Sequence, residues 1–345
     1  MSDAPTTSVF EAQVARVRQI SDVFTRVTLA GEQLAGFHPC GPLGPRDLRV
    51  KLIFPEPGGR IRVRPEATRG WFPRWRALDP AERGLLRTYT ARAIRHGPGA
   101  TPEVDIDFVM HGHDDESRGP GATWAAGVAE GDDVVLIGPS RAAPHPEGIE
   151  WRPPDASAAH PVQVLLTADE TAVPAVASIL QTLPAGYRGH AILEVPSEAE
   201  IQPMPTDSSV ETVWLTRGGA PRGGALFDAV RSLPGWSPQA ESRQSLPEAA
   251  AAPRTEGLMG HLFSRSRKHR PDPARRQALP EVDIDKERLW EVAAPDSESR
   301  RRYAWIAGEA ATVRRLRSHL VHACGIDRHD MAFMGYWRQG MAEPN

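Results

Sequence analysis

Six consecutive residues in the first half of the chain carry the side-chain types that a flavin site needs: Arg87-Thr88-Tyr89-Thr90-Ala91-Arg92. An aromatic ring can stack on a flavin, a hydroxyl can hydrogen-bond near its redox-active nitrogen, and an arginine can bind a pyrophosphate. If this segment is a strand, Arg87 and Tyr89 share one face and Thr90 lies on the other. An exposed edge strand with salt-bridged arginines is an open alternative.

Two segments of small residues follow this motif. The first ends with His111-Gly112, and the second reads Gly119-Pro120-Gly121-Ala122-Thr123-Trp124. Small residues let backbone N–H groups approach a diphosphate closely, and a helix that begins near Ala122 would add the favourable end of its dipole. A turn that joins a strand to a capping helix explains the same residues equally well.

Acidic residues stand at two transitions from an apolar run to a helical pattern. The transitions are Ala168-Asp169-Glu170-Thr171 and Gly308-Glu309. Ligands of open parallel sheets bind beyond the carboxyl ends of the strands, so a nicotinamide nucleotide could bind here. Neither a GxGxxG motif nor a P-loop is present, which favours a transient ligand over a resident one. Helix capping by the acids is the structural alternative.

The elements around these residues predict two domains. Short strands separated by turns, at 48–54, 87–94, 104–110 and 132–137, predict an antiparallel β-barrel. After residue 161, apolar strands alternate with helices, which predicts a parallel α/β sheet. The strands of this half are expected at 162–166, 191–195, 213–215 and 303–306, and the helices at 172–183, 226–233 and 310–323. The domains are expected at 9–145 and 158–340.

Composition excludes several classes of protein and marks one insert. The net charge is −3, which gives no bulk attraction to nucleic acid or membrane. No apolar run is long enough to span a bilayer and no signal peptide begins the chain, so we expect a cytoplasmic protein. Cys40 and Cys324 lack metal-ligand spacing, so we expect two thiols and no metal site. Residues 237–280 resemble a disordered insert, whose basic run at 265–270 is a solvated loop or else a tether to RNA or membrane.

Taken in order, six segments resemble the siderophore-interacting protein family, the flavin-dependent ferric-siderophore reductases. The resemblance covers residues 10–236 and 286–340 and places the chain near the ferredoxin-reductase superfamily. Members of that superfamily join an FAD-binding barrel to a nucleotide-binding α/β domain. The segments are 87–92, 107–112, 119–124, 169–175, 305–309 and 335–340, the last reading Gly335-Tyr336-Trp337-Arg338-Gln339-Gly340.

The resemblance implies a role for each matching position. Arg87 would contact the FAD phosphates, Tyr89 would stack on the isoalloxazine, and Thr90 would hydrogen-bond near N5. Tyr89 and Thr90 are therefore the expected catalytic pair. The remaining cofactor positions fall into two groups, one for FAD (His111, Gly112, Gly121, Ala122, Thr123) and one for NADPH or NADH (Asp169, Glu170, Thr171, Gly308, Glu309).

The implied activity is NAD(P)H-dependent, FAD-mediated reduction of a ferric siderophore, with release of Fe(II) in the cytoplasm by a monomer. Catecholate siderophores are anionic, so Lys51, Arg141 and Arg338 are candidate substrate contacts. Arg217 or Arg222 could meet the 2′-phosphate of NADPH. Two other functions stay open: a general flavin reductase or diaphorase-like electron-transfer component, and a non-catalytic siderophore or flavin carrier.

Overall fold

The computed structural model describes residues 6–55, 61, 71–110, 119–237, 289–293 and 301–341. His111 and Gly112 lie outside these residues, as does the predicted insert beyond residue 237. Cys40 and Cys324 are free thiols. Within the described ranges, no helix combines the length and the apolar composition needed to cross a bilayer.

A closed six-stranded antiparallel barrel forms the first half of the chain. Around the barrel the strand order is β1-β2-β5-β4-β3-β6, and β6 pairs with β1 to close it. Closure leaves no free sheet edge in this domain. The strands are β1 (Thr7–Gln19), β2 (Phe24–Ala30), β3 (Arg49–Phe54), β4 (Leu85–Arg95), β5 (Glu103–Val109) and β6 (Asp133–Pro139).

Strand alternation sorts the barrel residues into an apolar interior and a polar exterior. On β5, Val104, Ile106 and Phe108 point inward and are buried. Their neighbours Asp105 and Asp107 point outward and bond to side chains of β2 and β4. The predicted antiparallel barrel is therefore confirmed.

Three short helices accompany the barrel: α1 (Trp71–Arg76), α2 (Pro80–Arg83) and α3 (Pro120–Gly127). The helix α3 closes the barrel at the end of β3. Its Trp124 ring stacks on Phe54 at 5.1 Å between centroids and lies 5.4 Å from Phe108. The segment of small residues that the sequence singled out thus becomes a capping helix.

A second, six-stranded sheet forms the other half, in the order β10-β12-β11-β7-β8-β9. All neighbours pair in parallel except β10 and β12, which are antiparallel. The predicted parallel α/β sheet is confirmed, with β10 added at its edge. The strands are β7 (Val162–Asp169), β8 (Tyr187–Val195), β9 (Ser209–Thr216), β10 (Trp290–Glu291), β11 (Arg302–Glu309) and β12 (Met331–Trp337).

Helices follow the parallel strands as βαβ connections require. They are α4 (Val173–Thr182), α5 (Gly224–Ser232) and α6 (Ala310–Ser318). The predicted helix at 310–323 is α-helical only as far as Ser318, and His319–Ala323 continues it as a π-helix. Short 3₁₀ turns occur at Glu32–Gly36, Gly41–Leu43, Glu170–Ala172, Glu198–Glu200 and Arg328–Asp330.

The two halves meet at Asp47, a buried carboxylate in the loop before β3. It accepts hydrogen bonds from the backbone N–H groups of Glu150 and Trp151, at 3.2 and 3.1 Å. It also accepts the indole Nε1–H of Trp305 on β11, at 2.9 Å. Burial raises the pKa of Asp47 from 3.8 to about 6. One side chain thus ties the barrel, the linker and the second sheet together.

Replacing Asp47 by alanine should destabilise the protein at pH 7.5. The indole of Trp305 and the N–H groups of Glu150 and Trp151 would then be buried without acceptors, and each orphaned group costs about 1–3 kcal/mol. With three such groups, we expect urea denaturation to show a loss of about 3 kcal/mol or more. Asp22→Ala, at an exposed turn position, is the matched control.

The pH dependence tests the same carboxyl separately. A pKa raised in the folded state means that its contribution is full below pH 4 and is lost as pH rises through 6. The stability gap between wild type and Asp47→Ala should therefore be about 1 kcal/mol wider at pH 5 than at pH 7.5. An equal gap at both pH values would contradict a raised pKa.

Candidate functional site

The motif at 87–92 lies on β4, and its two faces serve different parts of the molecule. Arg87 pairs with Leu52 on β3, and Tyr89 pairs with Val50. Both β3 residues belong to the barrel core. They therefore point to the inner side, towards α3. Thr90 points to the outer side, where the second domain lies. The alternation expected from the sequence is realised.

Tyr89 lies between the barrel core and α3. Its ring centroid is 4.5 Å from that of Phe108. A Cβ atom built on Gly121 would come within 1.8 Å of the Tyr89 hydroxyl. Only glycine at this position lets the phenol cross the first turn of α3.

The first turn of α3 suits a diphosphate. Pro120 occupies the first turn and no side chain caps the helix, so the N–H groups of Gly121 and Ala122 have no partner among the described residues. Such N–H groups, at the positive end of a helix, bind phosphate oxygens. Thr123 differs, because its N–H and hydroxyl both bond to the carbonyl of Gly119, at 3.0 and 3.3 Å. A contact of Thr123 with the diphosphate stays a prediction.

Arg87 shares the inner face of β4 with Tyr89, whose hydroxyl reaches the first turn of α3. Its side chain is 9% exposed and donates to the carbonyl of Leu86 at 2.7 Å. A guanidinium has five N–H donors in a planar fork that matches phosphate oxygens. The unpartnered N–H groups, the glycine under Tyr89 and this arginine together fit FAD.

Thr90 reaches across to the second domain. Its hydroxyl lies close enough to that of Tyr336 on β12 to act against the rise in the pKa of the phenol. Burial raises the pKa of Tyr336, which keeps its hydroxyl protonated. Tyr336 stacks on Trp290 with centroids 6.0 Å apart and meets the edge of Trp305 at 6.4 Å. We refer to Trp290, Trp305 and Tyr336 as the interdomain aromatic cluster.

Sequence reasoning gave no role to this cluster or to Asp47. The segment at 335–340 was noted only because it resembles the corresponding segment of the family. A signal was present, because Trp305 lies within a predicted strand of the second domain and Tyr336 lies within the last segment of the family resemblance. Their convergence on Thr90 depends on how two distant segments dock, and no local pattern encodes that.

At the carboxyl ends of the second sheet, Asp169 holds several segments together. Its carboxylate accepts from the N–H and hydroxyl of Thr171, at 2.9 and 2.5 Å. It also accepts from the N–H of Glu309 and the indole of Trp337, both at 2.8 Å. Burial and the neighbouring Glu170 raise the pKa of Asp169 to about 6. A Cβ on Gly308 would lie 2.7 Å from this carboxylate.

Glu170 is buried in an ion-pair network. Arg217 bonds to both of its oxygens, at 3.0 and 3.1 Å, and Arg222 bonds to one of them. Arg217 also bonds to Glu194 at 3.2 Å. Burial raises the pKa of Glu170, but the two arginines outweigh burial and lower it. Both arginines are therefore paired with Glu170, and a contact of either with a 2′-phosphate stays a prediction.

A pocket opens at the carboxyl ends of β7, β8 and β11, where the sequence predicted a nucleotide. Asp169, Gly308 and Glu309 line it, whereas Glu170 and Thr171 do not. Glu309 also caps α6, accepting from the N–H of Thr312 at 2.9 Å. The capping alternative for the acids is thus correct as a structural role. Their contact with a nucleotide stays a prediction.

The three candidate substrate contacts lie on or next to strands β3, β6 and β12. Lys51 lies on the outer face of β3, with Nζ 3.3 Å from the hydroxyl of Thr88, next to the pair formed by Arg49 and Thr90. Arg338 follows Tyr336 by two residues. Arg141 follows the end of β6, the strand that pairs with β3 at Lys51, and its contact with a substrate stays a prediction.

Comparison with known proteins agrees with this geometry. Residues 13–143 match the model described as siderophore-interacting FAD-binding domain, and residues 161–340 match the model described as siderophore-interacting protein. The residues between the two matches, 144–160, form the linker between the barrel and the second sheet.

Three similar proteins illustrate the relationship. An uncharacterised protein of Mycobacterium tuberculosis is 31% identical over 60% of this chain and 65% of its own length. The ferric vibriobactin reductase of Vibrio cholerae is 29% identical over 64% of this chain and 70% of its own. The crystal structure of a siderophore utilization protein from T. fusca superposes with a TM-score of 0.62 at 25% identity, over 99% of this chain and 96% of that one.

Replacing Gly121 by alanine should weaken binding of FAD. The new Cβ would displace the Tyr89 hydroxyl, and overpacking of this kind costs about 1–3 kcal/mol. We expect roughly tenfold weaker binding or more when the apoprotein is titrated with FAD and followed by flavin fluorescence. Gly127→Ala in the same helix is the matched control, because its Cβ would meet nothing within 4 Å. Equal losses in both variants would contradict a specific role for Gly121.

Proposed function

The chain belongs to the siderophore-interacting protein family, and on this premise we propose that it is an FAD-dependent reductase of ferric siderophores. NADPH or NADH supplies the electrons, and the reaction releases iron as Fe(II). Two ferric complexes are consumed for each nucleotide, because a hydride carries two electrons and each iron accepts one.

The contact between Thr90 and Tyr336 is the observation that carries this proposal. It places the hydroxyl expected near flavin N5 where the barrel meets the second domain. A flavin held by the barrel would therefore present its reactive edge to the domain that holds the nucleotide pocket. A flavin carrier without redox activity has no need of such an arrangement.

The barrel supplies the residues that would hold FAD. The N–H groups of Gly121 and Ala122, with Arg87, would bind the diphosphate, and His111 and Gly112 would add contacts from beyond β5. Tyr89 would lie against the ring. FAD, when bound, accepts a hydride and releases its electrons singly.

The second domain supplies the face from which the nucleotide would approach. Asp169 fixes the positions of Thr171 and Glu309 by hydrogen bonds, and Gly308 and Glu309 line the pocket with it. Glu170 would act indirectly, by holding Arg222 in position through their ion pair. Arg222 lies over the ring of Trp337 at 5.1 Å. Its side chain is 29% exposed against 6% for Arg217, so it is the more accessible candidate for a 2′-phosphate contact.

Basic residues beside Thr90 would attract the substrate. Lys51 and Arg338 lie near the pair formed by Thr90 and Tyr336 and suit an anionic ferric chelate. Hard oxygen ligands hold Fe(III) far more tightly than Fe(II), since charge dominates such bonding. Reduction therefore loosens the iron, and the chain needs no iron ligand of its own.

We further propose that the protein works in the cytoplasm, where reduced nicotinamide nucleotides are available, and as a monomer. The described residues of one chain supply both the barrel site and the nucleotide pocket. The proposed units are residues 9–145 for FAD and 158–340 for the nucleotide.

Absorption spectroscopy tests the function directly. The purified protein should be yellow or become yellow with FAD, and NADPH or NADH should bleach it under nitrogen. Addition of a ferric siderophore should restore the colour with two Fe(II) formed per nucleotide, measured with a ferrous chelator. A colourless protein that takes up no FAD would refute the proposal. Activity only with free flavin would instead indicate a general flavin reductase.

Replacing Lys51 by alanine should raise the KM for an anionic ferric siderophore by about threefold, because one charge beside the substrate contributes roughly 0.5–1 kcal/mol. Flavin content should not change. Arg18→Ala, an exposed position on β1, is the control. Unaltered kinetics for the Lys51 variant would remove Lys51 from the substrate site, and a smaller effect in high salt would support it.

A further inference from the structure

The last residue of the β4 motif, Arg92, has no part in the proposed function. It follows Thr90 by two residues, and both side chains face the second domain. Thr90 lies close to Tyr336 on β12, and Arg92 contacts α4. Since two residues of a strand span about 7 Å, Arg92 lies near the hydroxyl that is expected beside flavin N5.

An irregularity in β4 directs the Arg92 side chain away from the barrel. Ala91 belongs to the barrel core and pairs with Ile106 on β5. The next pair of this ladder joins Ala93 to Asp105, so Arg92 is an extra residue that forms a bulge. Bulges re-aim side chains and are frequent next to active sites. Here the bulge follows directly on the segment that is expected to meet the flavin.

Two side chains of α4 hold Arg92 at the contact between the domains. Its Nη1 donates to the amide oxygen of Gln181 at 3.1 Å and to the hydroxyl of Ser178 at 3.4 Å. Ser178 in turn donates to the backbone carbonyl of Arg92 at 2.7 Å. Both partners are neutral, so they fix the guanidinium in place without compensating its charge.

The carboxylates whose charge reaches Arg92 are paired with other arginines. Asp107 pairs with Arg26 and Asp105 pairs with Arg95, each at 2.6 Å. Among the described residues Arg92 has no ion-pair partner and donates only to the neutral side chains of α4. Burial lowers the pKa of Arg92, yet an arginine stays protonated near pH 7. One uncompensated positive charge is therefore mostly buried between the domains.

We propose that the charge of Arg92 favours the reduced form of bound FAD and so raises the reduction potential of the flavin. This role rests on the proposed function. A hydride brings two electrons and one proton, so it adds one negative charge to the isoalloxazine. A cation near the ring stabilises that added charge, and burial limits its screening by water and salt. The same gain offsets the cost of burying an unpaired charge.

Spectroelectrochemical titration of the FAD-loaded protein tests this role. Arg92→Met removes the charge and keeps the length of the side chain. It should lower the midpoint potential by about 30 mV, which is a tenfold shift in the ratio of reduced to oxidised flavin. Arg92→Lys should keep most of the wild-type potential. Arg18→Met, which removes a charge from an exposed position on β1, should leave the potential unchanged.

Gln181→Glu tests the same charge without replacing Arg92. The new carboxylate would take the place of the amide oxygen 3.1 Å from the guanidinium and pair with it, so the potential should again fall. Gln181 is exposed, so this variant should fold and decides the question if Arg92→Met does not. Ser178→Ala loses the bond to the Arg92 carbonyl but keeps the charge, and it should retain the wild-type potential.

Wild-type potentials in both Arg92→Met and Gln181→Glu would overturn the proposal. An equal fall in Arg18→Met or Ser178→Ala would also contradict it, because net charge or the docking of α4 would then set the potential. Uptake of FAD and its bleaching by NADPH or NADH report on the proposed function separately. If the wild type binds FAD and is bleached while the variants keep its potential, only the role of Arg92 is rejected.

Discussion

One buried carboxylate holds the two halves of this protein in register. Asp47 accepts hydrogen bonds from Trp305 in the second sheet and from the linker backbone at Glu150 and Trp151. Since Trp305 also contacts Tyr336, the same bond sets the position of the aromatic side chain that meets Thr90. The geometry between the barrel and the pocket of the second domain therefore depends on an interaction that lies outside both.

The motif on β4 works because a strand has two faces. The inner face carries Arg87 and Tyr89 towards α3, where a diphosphate would bind. The outer face carries Thr90 towards the second domain. An arrangement in which all of these groups shared one face would place the nucleotide domain over the diphosphate rather than over the redox-active edge. Under the proposed function, alternation would separate the residues that anchor the cofactor from the face where electrons enter.

Helix starts in the second domain are occupied by the chain's own acids. Asp169, Glu309 and Glu194 accept N–H groups at the beginnings of the segments that follow the strands. A fixed phosphate cradle would need those N–H groups to be free. This occupation agrees with the absence of a GxGxxG motif or P-loop from the sequence. It also agrees with the expectation that the nucleotide is a transient ligand and not a resident one.

Sequence alone determined the parts that depend on local periodicity and on residue type. Alternation along 104–110 and the apolar run at 162–166 specified the barrel strand and the buried parallel strand, and the order of motifs indicated the family. The thirteen-residue β1 was missed because its polar residues interrupt any clear pattern. The tertiary structure decided which distant side chains meet. Thr90 with Tyr336 and Asp47 with Trp305 each join segments over two hundred residues apart. Docking of two folded surfaces creates those contacts, and no short stretch of sequence contains both partners.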